Sequence, residues 1–234
     1  MDINNTTAVI LAGGSGERMG GDMPKQFLSL NEKPLIMYTL ERFSAIPEIL
    51  DIVVVCRAAQ IEYLREMIKI HGIEKIKCVV PGGKTRQESS FIGVKSCSGD
   101  EGIILIHDAV RPFVSSELIK NVIEKAKVSG AVIPVTEVCD AIVREEKDDV
   151  ADFLNRDAIK RVQTPQGFSS RVIMNAHEQA LEEGVLDLTD DGSLVLKSGC
   201  ILKTVRGDKY NIKVTDQKDL IFAETLIKTG LVEE

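Results

Sequence analysis

The stretch Thr7-Ala8-Val9-Ile10-Leu11-Ala12-Gly13-Gly14-Ser15-Gly16-Glu17-Arg18-Met19-Gly20-Gly21-Asp22-Met23-Pro24-Lys25-Gln26 decides how this chain is read. It opens as a short apolar run with β-branched residues, the pattern of a buried strand. The run ends in a loop with five glycines, and helical spacing resumes after Pro24. Glycines let a backbone approach a ligand closely, and successive N–H groups can form an anion-binding nest. Arg18 and Lys25 stand in the same loop, within reach of a phosphate chain. The combination reads as a triphosphate-binding loop. A P-loop is excluded, because Lys25 is followed by Gln26 rather than Ser or Thr. A dinucleotide fingerprint is excluded as well: position 19 is Met, and no acid closes a second strand at the required distance. The plain alternative is a strand-to-helix turn, against which five glycines and two cations weigh.

Working outward, apolar runs predict further buried strands at Asp51–Cys56, Lys77–Val80, Gly102–Asp108 and Ala131–Val135. Helical patterns lie between them at Leu35–Phe43, Ile61–His71 and Glu117–Val128, with Pro34, Gly72 and Ser115 as boundary signals. This alternation predicts an α/β, Rossmann-like, mainly parallel sheet covered by helices on both faces. From Asp140 to Phe168 the pattern changes to charged residues around a polar turn at Lys147-Asp148-Asp149. That segment reads as a hairpin or arm, spanning about 138–168, that packs outside the main sheet. Beyond it come a helix at Arg171–Glu183, a turn-rich segment at Asp187–Gly192 and a strand at Cys200–Val205. An edge-like segment at Asn211–Thr215 and a final helix at Gln217–Lys228 follow. The 234 residues fit a single domain.

The net charge of −7 argues against a general nucleic-acid or anionic-membrane surface. An anionic substrate must therefore be held by local basic residues. Trp is absent and aromatics are scarce, so no base-stacking platform is visible. The five cysteines are widely spaced with no Cys-x-x-Cys, which disfavours zinc and a disulfide framework. No signal peptide and no membrane-length apolar run is evident, so a cytoplasmic protein is expected.

In open α/β sheets ligands bind at the carboxyl ends of the strands. Four loops leave such ends here: Gly13–Lys25, Gly82–Ser90, His107–Pro112 and Thr136–Asp140. Asp108 follows a strand directly and reads either as a Mg²⁺ ligand or as a turn cap. Arg111 either pins Asp108 or holds a substrate anion. His107 reads as a satisfied core residue more readily than as a base. Gly82-Gly83-Lys84-Thr85-Arg86-Gln87-Glu88-Ser89 enters a helix, either to read a base edge or simply as a capped turn. Arg156, Arg161, Thr164, Thr189, Asp190 and Lys213 lie outside this nucleotide half. Lys213 alternates with Ile212 and Val214 and so points away from them. Arg161 reads as an exposed charge and is left out of the site.

Taken together and in order, these segments resemble the sugar- and polyol-phosphate cytidylyltransferases. The marks are Leu11–Met19, Pro24-Lys25-Gln26, Gly82–Ser89, His107-Asp108-Ala109-Val110-Arg111-Pro112, Gln163-Thr164-Pro165-Gln166, Leu188-Thr189-Asp190-Asp191 and Asn211–Thr215. They run nearly the full chain. The resemblance implies transfer of a cytidylyl group from CTP to a polyol phosphate, with release of pyrophosphate. It implies that Leu11, Ala12, Gly13, Gly14, Ser15 and Gly16 bind the nucleotide, while Arg18 and Lys25 stabilise the transition state. Gly83, Lys84 and Ser89 are expected near cytosine and ribose, Thr164 on the nucleotide side, and Asp108 on Mg²⁺. Arg111, Arg156, Thr189 and Lys213 are expected to hold the acceptor. A homodimer is implied in which the arm swaps, so that Arg156 serves the partner's site. Within the family the branch acting on 2-C-methyl-D-erythritol 4-phosphate, in non-mevalonate isoprenoid synthesis, is the nearer. Thr189-Asp190-Asp191-Gly192-Ser193-Leu194 leans that way. Ala141 in place of a Thr, the length of Gly130–Asp140 and Phe113 lean towards the ribitol 5-phosphate branch, which stays as the alternative.

Overall fold

The computed structural model describes residues 5–14, 24–97, 99 and 101–232. Its centre is β1 (Thr6–Ala12), a parallel neighbour of β4 (Ile49–Cys56) on one edge and of β6 (Ile103–Asp108) on the other. A short hairpin of β2 (Ser29–Leu30) and β3 (Lys33–Pro34) leads into α1 (Leu35–Ser44), and β5 (Ile76–Pro81) extends the sheet beyond β4. The chain thus moves from β1 to β4 to β5 and then returns to the opposite edge of β1. That reversal opens a crevice at the carboxyl ends of β1 and β6.

Period-two alternation explains why both faces are covered. Ala8, Ile10, Ile52 and Val54 point to one face, into a core built with α1, α2 (Ile61–Ile70) and α4 (Ser116–Ser129). Val9, Val53, Val55 and Ile104 point to the other, against α3 (Arg86–Lys95), α5 (Ser170–Glu182) and α6 (Asp191–Lys197). Two-sided burial is why these strands read as continuous apolar runs. Ser115 caps α4 by accepting from the Leu118 N–H, and Gly130 closes the helix in the left-handed region. Burial pushes the Cys56 thiol up to about 11 and the Cys97 thiol up to about 12, which makes both inert apolar filler.

Past β7 (Ala131–Glu137) the topology departs from simple alternation. β8 (Ile142–Glu146) and β9 (Asp149–Leu154) pair only with each other. Lys147 and Asp148 join them with positive φ, the conformation of a tight hairpin turn. The segment expected to stand outside the sheet is narrower than 138–168. β10 (Lys160–Val162) and β11 (Gln166–Ser169) rejoin the main sheet, antiparallel along one edge of β7. β12 (Lys203–Arg206) is parallel on β7's other edge. Two further expectations are corrected. Asn211–Thr215 belongs to no strand; it is anchored by the Val214 N–H donating to the Val110 carbonyl. The turn-rich segment at Asp187–Gly192 runs into a helix, α6, capped by Asp190. The chain ends in α7 (Gln217–Lys228), whose capping box joins Asp216 and Asp219.

Candidate active site

The ladders of β1, β4 and β6 run out at one level. The Ala109 N–H reaches the Leu11 carbonyl, and the Gly82 N–H reaches the Cys56 carbonyl. Above them lies a cleft of about 460 Å³. It is lined by Leu11, Ala12, Gly13 and Gly14 from β1, Arg57 from β4, Gly83–Arg86 and Ser89 from the turn into α3, and Asp108 and Val110 from β6. Lys25, Gln26 and Lys213 complete it.

Glycine is required where α3 meets the sheet. A Cβ at Gly82 would stand 2.9 Å from Ser89 Oγ, and one at Gly83 would stand 2.3 Å from Glu88 Cγ. Thr85 caps α3 by accepting from the Glu88 N–H, while Glu88 accepts from the Lys84 N–H at 2.7 Å. Ser89 Oγ accepts from the Gly83 N–H at 3.1 Å and donates to the Thr85 carbonyl at 2.9 Å. The segment is therefore a capped turn, and it faces the cleft. Gln26 is buried and donates to the Ala12 carbonyl at 2.7 Å, tying the far end of the glycine loop to the strand it left.

Asp108 is the electrostatic centre. Lys213 Nζ lies 3.0 Å from Oδ2, Arg111 Nε lies 3.3 Å from Oδ2, and Arg86 Nη2 lies 3.8 Å from Oδ1. Burial by itself would raise its pKa, but Lys213, Arg86 and Arg111 hold the carboxyl well below the usual carboxylate range. It is an anion at every physiological pH. Behind it the Asp108 N–H donates to Thr164 Oγ1 at 3.2 Å, and that hydroxyl meets His107 Nδ1 at 2.9 Å. His107 Nε2 lies 3.2 Å from the Arg111 carbonyl. The carbonyl can only accept, so Nε2 carries the proton and Nδ1 accepts from Thr164. Burial lowers the His107 pKa to about 3, which leaves it a neutral strut.

The sequence-predicted residues sort as follows. Leu11, Ala12, Gly13, Gly14, Lys25, Gly83, Lys84, Ser89, Asp108 and Lys213 line the cleft together. Ser15, Gly16 and Arg18 lie outside the described residues. Thr164 and Arg111 stand behind Asp108; Arg111 also donates to the Asn211 carbonyl at 2.9 Å. Arg156 is exposed beyond the β8–β9 hairpin, donating to the Cys139 carbonyl, and Thr189 is exposed just before α6. Thr136–Asp140 does not reach the cleft: Thr136, Glu137 and Cys139 line a separate groove with Arg206–Tyr210. Sequence reasoning missed Arg57, Gln26 and Arg86 as lining residues. Arg57 leaves a parallel strand at its carboxyl end, so the rule that selected the other loops would have found it.

Lys25, Arg57, Lys84, Arg86 and Lys213 thus face one lining carboxylate among the described residues, on a chain whose net charge is −7. Such a concentration of cations suits a ligand carrying several negative charges, seated where open α/β sheets bind nucleotides. The fold and the cleft are those of a nucleotide-binding α/β protein.

Comparison with known proteins narrows the class. Residues 6–229 match the family model IspD, 2-C-methyl-D-erythritol 4-phosphate cytidylyltransferase, and the chain belongs to that family. A relative of that name from Clostridium tetani is 38% identical over 227 residues, covering 97% of this chain and 92% of its own. One from Geobacillus kaustophilus is 38% identical, covering 98% of this chain and all of its own. Among solved structures, the 4-diphosphocytidyl-2C-methyl-D-erythritol synthase of Anaerococcus prevotii superposes with a TM-score of 0.84 at 31% identity. It covers 95% of this chain and 96% of its own.

Proposed function

We propose that this chain joins CTP to 2-C-methyl-D-erythritol 4-phosphate, giving the CDP-alcohol and pyrophosphate. The observation that carries this is the convergence of Lys25, Lys84, Arg86 and Lys213 around Asp108 at the strand ends of a member of this family. An oxygen of the acceptor phosphate attacks the α-phosphorus of CTP. The bond to the bridging oxygen of the departing pyrophosphate breaks. The acceptor is already anionic, so no general base is needed. The task is to bring two polyanions together and to stabilise charge on the phosphorus and on the leaving group. Lys25 and the N–H groups of Gly13 and Gly14 serve the triphosphate, as does Arg18. Lys213, held at Asp108, orients the acceptor phosphate; Arg111 keeps Asp108 in place, and Arg156 and Thr189 complete the acceptor site from a dimer partner and from the turn before α6.

The donor set suits Mg²⁺. That ion takes one or two carboxylates and fills its remaining positions with phosphate oxygens and water. Asp108 lines the cleft, and its Oδ1 lies 3.8 Å from Arg86 Nη2, beyond hydrogen-bonding distance. Bound there, Mg²⁺ would offset charge on the triphosphate. The protein acts as a cytoplasmic homodimer.

Release of pyrophosphate, followed with CTP and either 2-C-methyl-D-erythritol 4-phosphate or ribitol 5-phosphate, tests the assignment. Faster turnover with the first is expected. Faster turnover with ribitol 5-phosphate would reassign the acceptor, and no turnover with either would end the proposal. Phe113, which leaned towards ribitol phosphate, is buried edge-on against Tyr38, and packing alone accounts for it.

A further inference from the structure

Two carboxylates compete for one guanidinium at the edge of the cleft. Arg86, the first residue of α3, points Nη1 at Asp191 Oδ2, 2.7 Å away, and Nη2 at Asp108 Oδ1, 3.8 Å away. Asp191 lies on α6, is only 1% exposed, and receives Ser90 Oγ on its other oxygen at 2.5 Å. Asp108 has two other cations within 3.3 Å, Lys213 and Arg111. For Asp191, Arg86 is the one Lys or Arg within 4 Å among the described residues. A buried carboxylate deprived of its cation costs far more than one with partners to spare. Asp191 therefore holds the guanidinium in a direct ion pair and keeps it just short of hydrogen-bonding distance from Asp108.

We propose that Arg86 is a further residue of the nucleotide site and that the buried Asp191 is the positioning residue that holds it there. The pair sets the charge beside Asp108 while Nη2 stays 3.8 Å from Oδ1, beyond hydrogen-bonding distance. It also links the start of α6, next to Thr189, to the turn that carries Gly83 and Lys84. Released from Asp191, Arg86 would close onto Asp108 and obstruct it. A lysine at 86 is a point charge and cannot serve both carboxylates, whereas the planar fork can.

This inference rests on the CTP-binding role proposed above, so its test separates the two. Asp191→Asn keeps the shape and the Ser90 contact but removes the charge. CTP binding in the presence of Mg²⁺, measured by calorimetry, is expected to weaken about tenfold, the low end of what losing an orienting partner costs a site. kcat at saturating CTP should fall as well, with the acceptor KM unchanged. Arg86→Lys should lose CTP affinity to a similar degree, and the double variant should be no worse than Asp191→Asn. Should Asp191→Asn fail to fold, Arg86→Lys decides alone. Wild-type CTP affinity in a folded variant, or losses that fall equally on CTP and acceptor, would overturn the proposal. A wild-type chain that binds no CTP would instead sink the functional assignment.

Discussion

Lys25 follows the glycine loop directly, and its aliphatic stem passes over Gly14, where a Cβ would stand 3.6 Å from Lys25 Cε. Lys25 also lines the cleft. Lys25→Ala is expected to lower kcat about 10²–10³-fold, or about 3–4 kcal/mol of barrier. Turnover near that of the unaltered chain in a pyrophosphate-release assay would remove Lys25 from the chemistry. The buried histidines bear on stability. Burial lowers the pKa of His107 to about 3 and that of His177 to about 4. The folded state therefore excludes protons that the unfolded chain accepts below about 6.5. Their contribution is intact above that pH and is lost as pH falls towards the folded values. Asp108 has the same sign but a more acid window: its depressed pKa keeps the ion-paired anion intact throughout this pH range. Each histidine should withdraw about 2 kcal/mol between pH 7.5 and pH 5. Urea unfolding at the two pH values should show the loss, and His177→Gln should remove part of it. Equal midpoints at both pH values would contradict this.

Helix α3 is the part that ties packing to chemistry. Its first turn carries Arg86 and Ser89 into the cleft, and its last turns lie on β1 and β4. The close approach depends on Gly93, where a Cβ would stand 2.3 Å from Val9 Cγ1 and 3.0 Å from Val55 Cγ2. Both neighbours are stiff β-branched side chains on central strands, so neither can yield easily. Gly93→Ala should destabilise the fold by about 1–3 kcal/mol by lifting the helix, although alanine is the better helix former. An unchanged midpoint in chemical denaturation would show that α3 tolerates the shift. Helix α6 is short, and its cap Asp190 is also bound by Gln166 Nε2 at 2.8 Å. Gln166 Oε1 accepts from the Gly192 N–H, so β11 sets where α6 begins and hence where Asp191 points.

For the molecule as a whole, the β8–β9 hairpin is the unpartnered part. It pairs only with itself and presents Val143, Val150 and Phe153, the last 72% exposed. Apolar side chains gathered on one hairpin call for cover. In the homodimer proposed above, a second copy of the chain with exchanged arms would supply it and carry Arg156 along. Phe153→Asp is expected to convert a dimer into a monomer in sedimentation, with acceptor use falling more than CTP binding. An unaltered chain that sediments as a monomer, or a variant that stays dimeric, would refute the exchange.

What the linear chain determined was everything set by local pattern. The buried strands showed as apolar runs because both faces are covered. Helix limits followed from Ser115 and Gly72, and the glycine loop stood out through its composition and two cations. Tertiary structure alone decided which charges meet. Arg86 and Asp191 stand 105 residues apart, and Asp108 and Lys213 are separated by the same length of chain, yet each pair is in contact. Asn211–Thr215 looked like a strand because extended backbone alternates in the same way whether or not a ladder forms. Asp187–Gly192 hid the start of a helix because its turn chemistry is also cap chemistry. Long-range electrostatic partners leave no local periodicity, so only the folded chain discloses them.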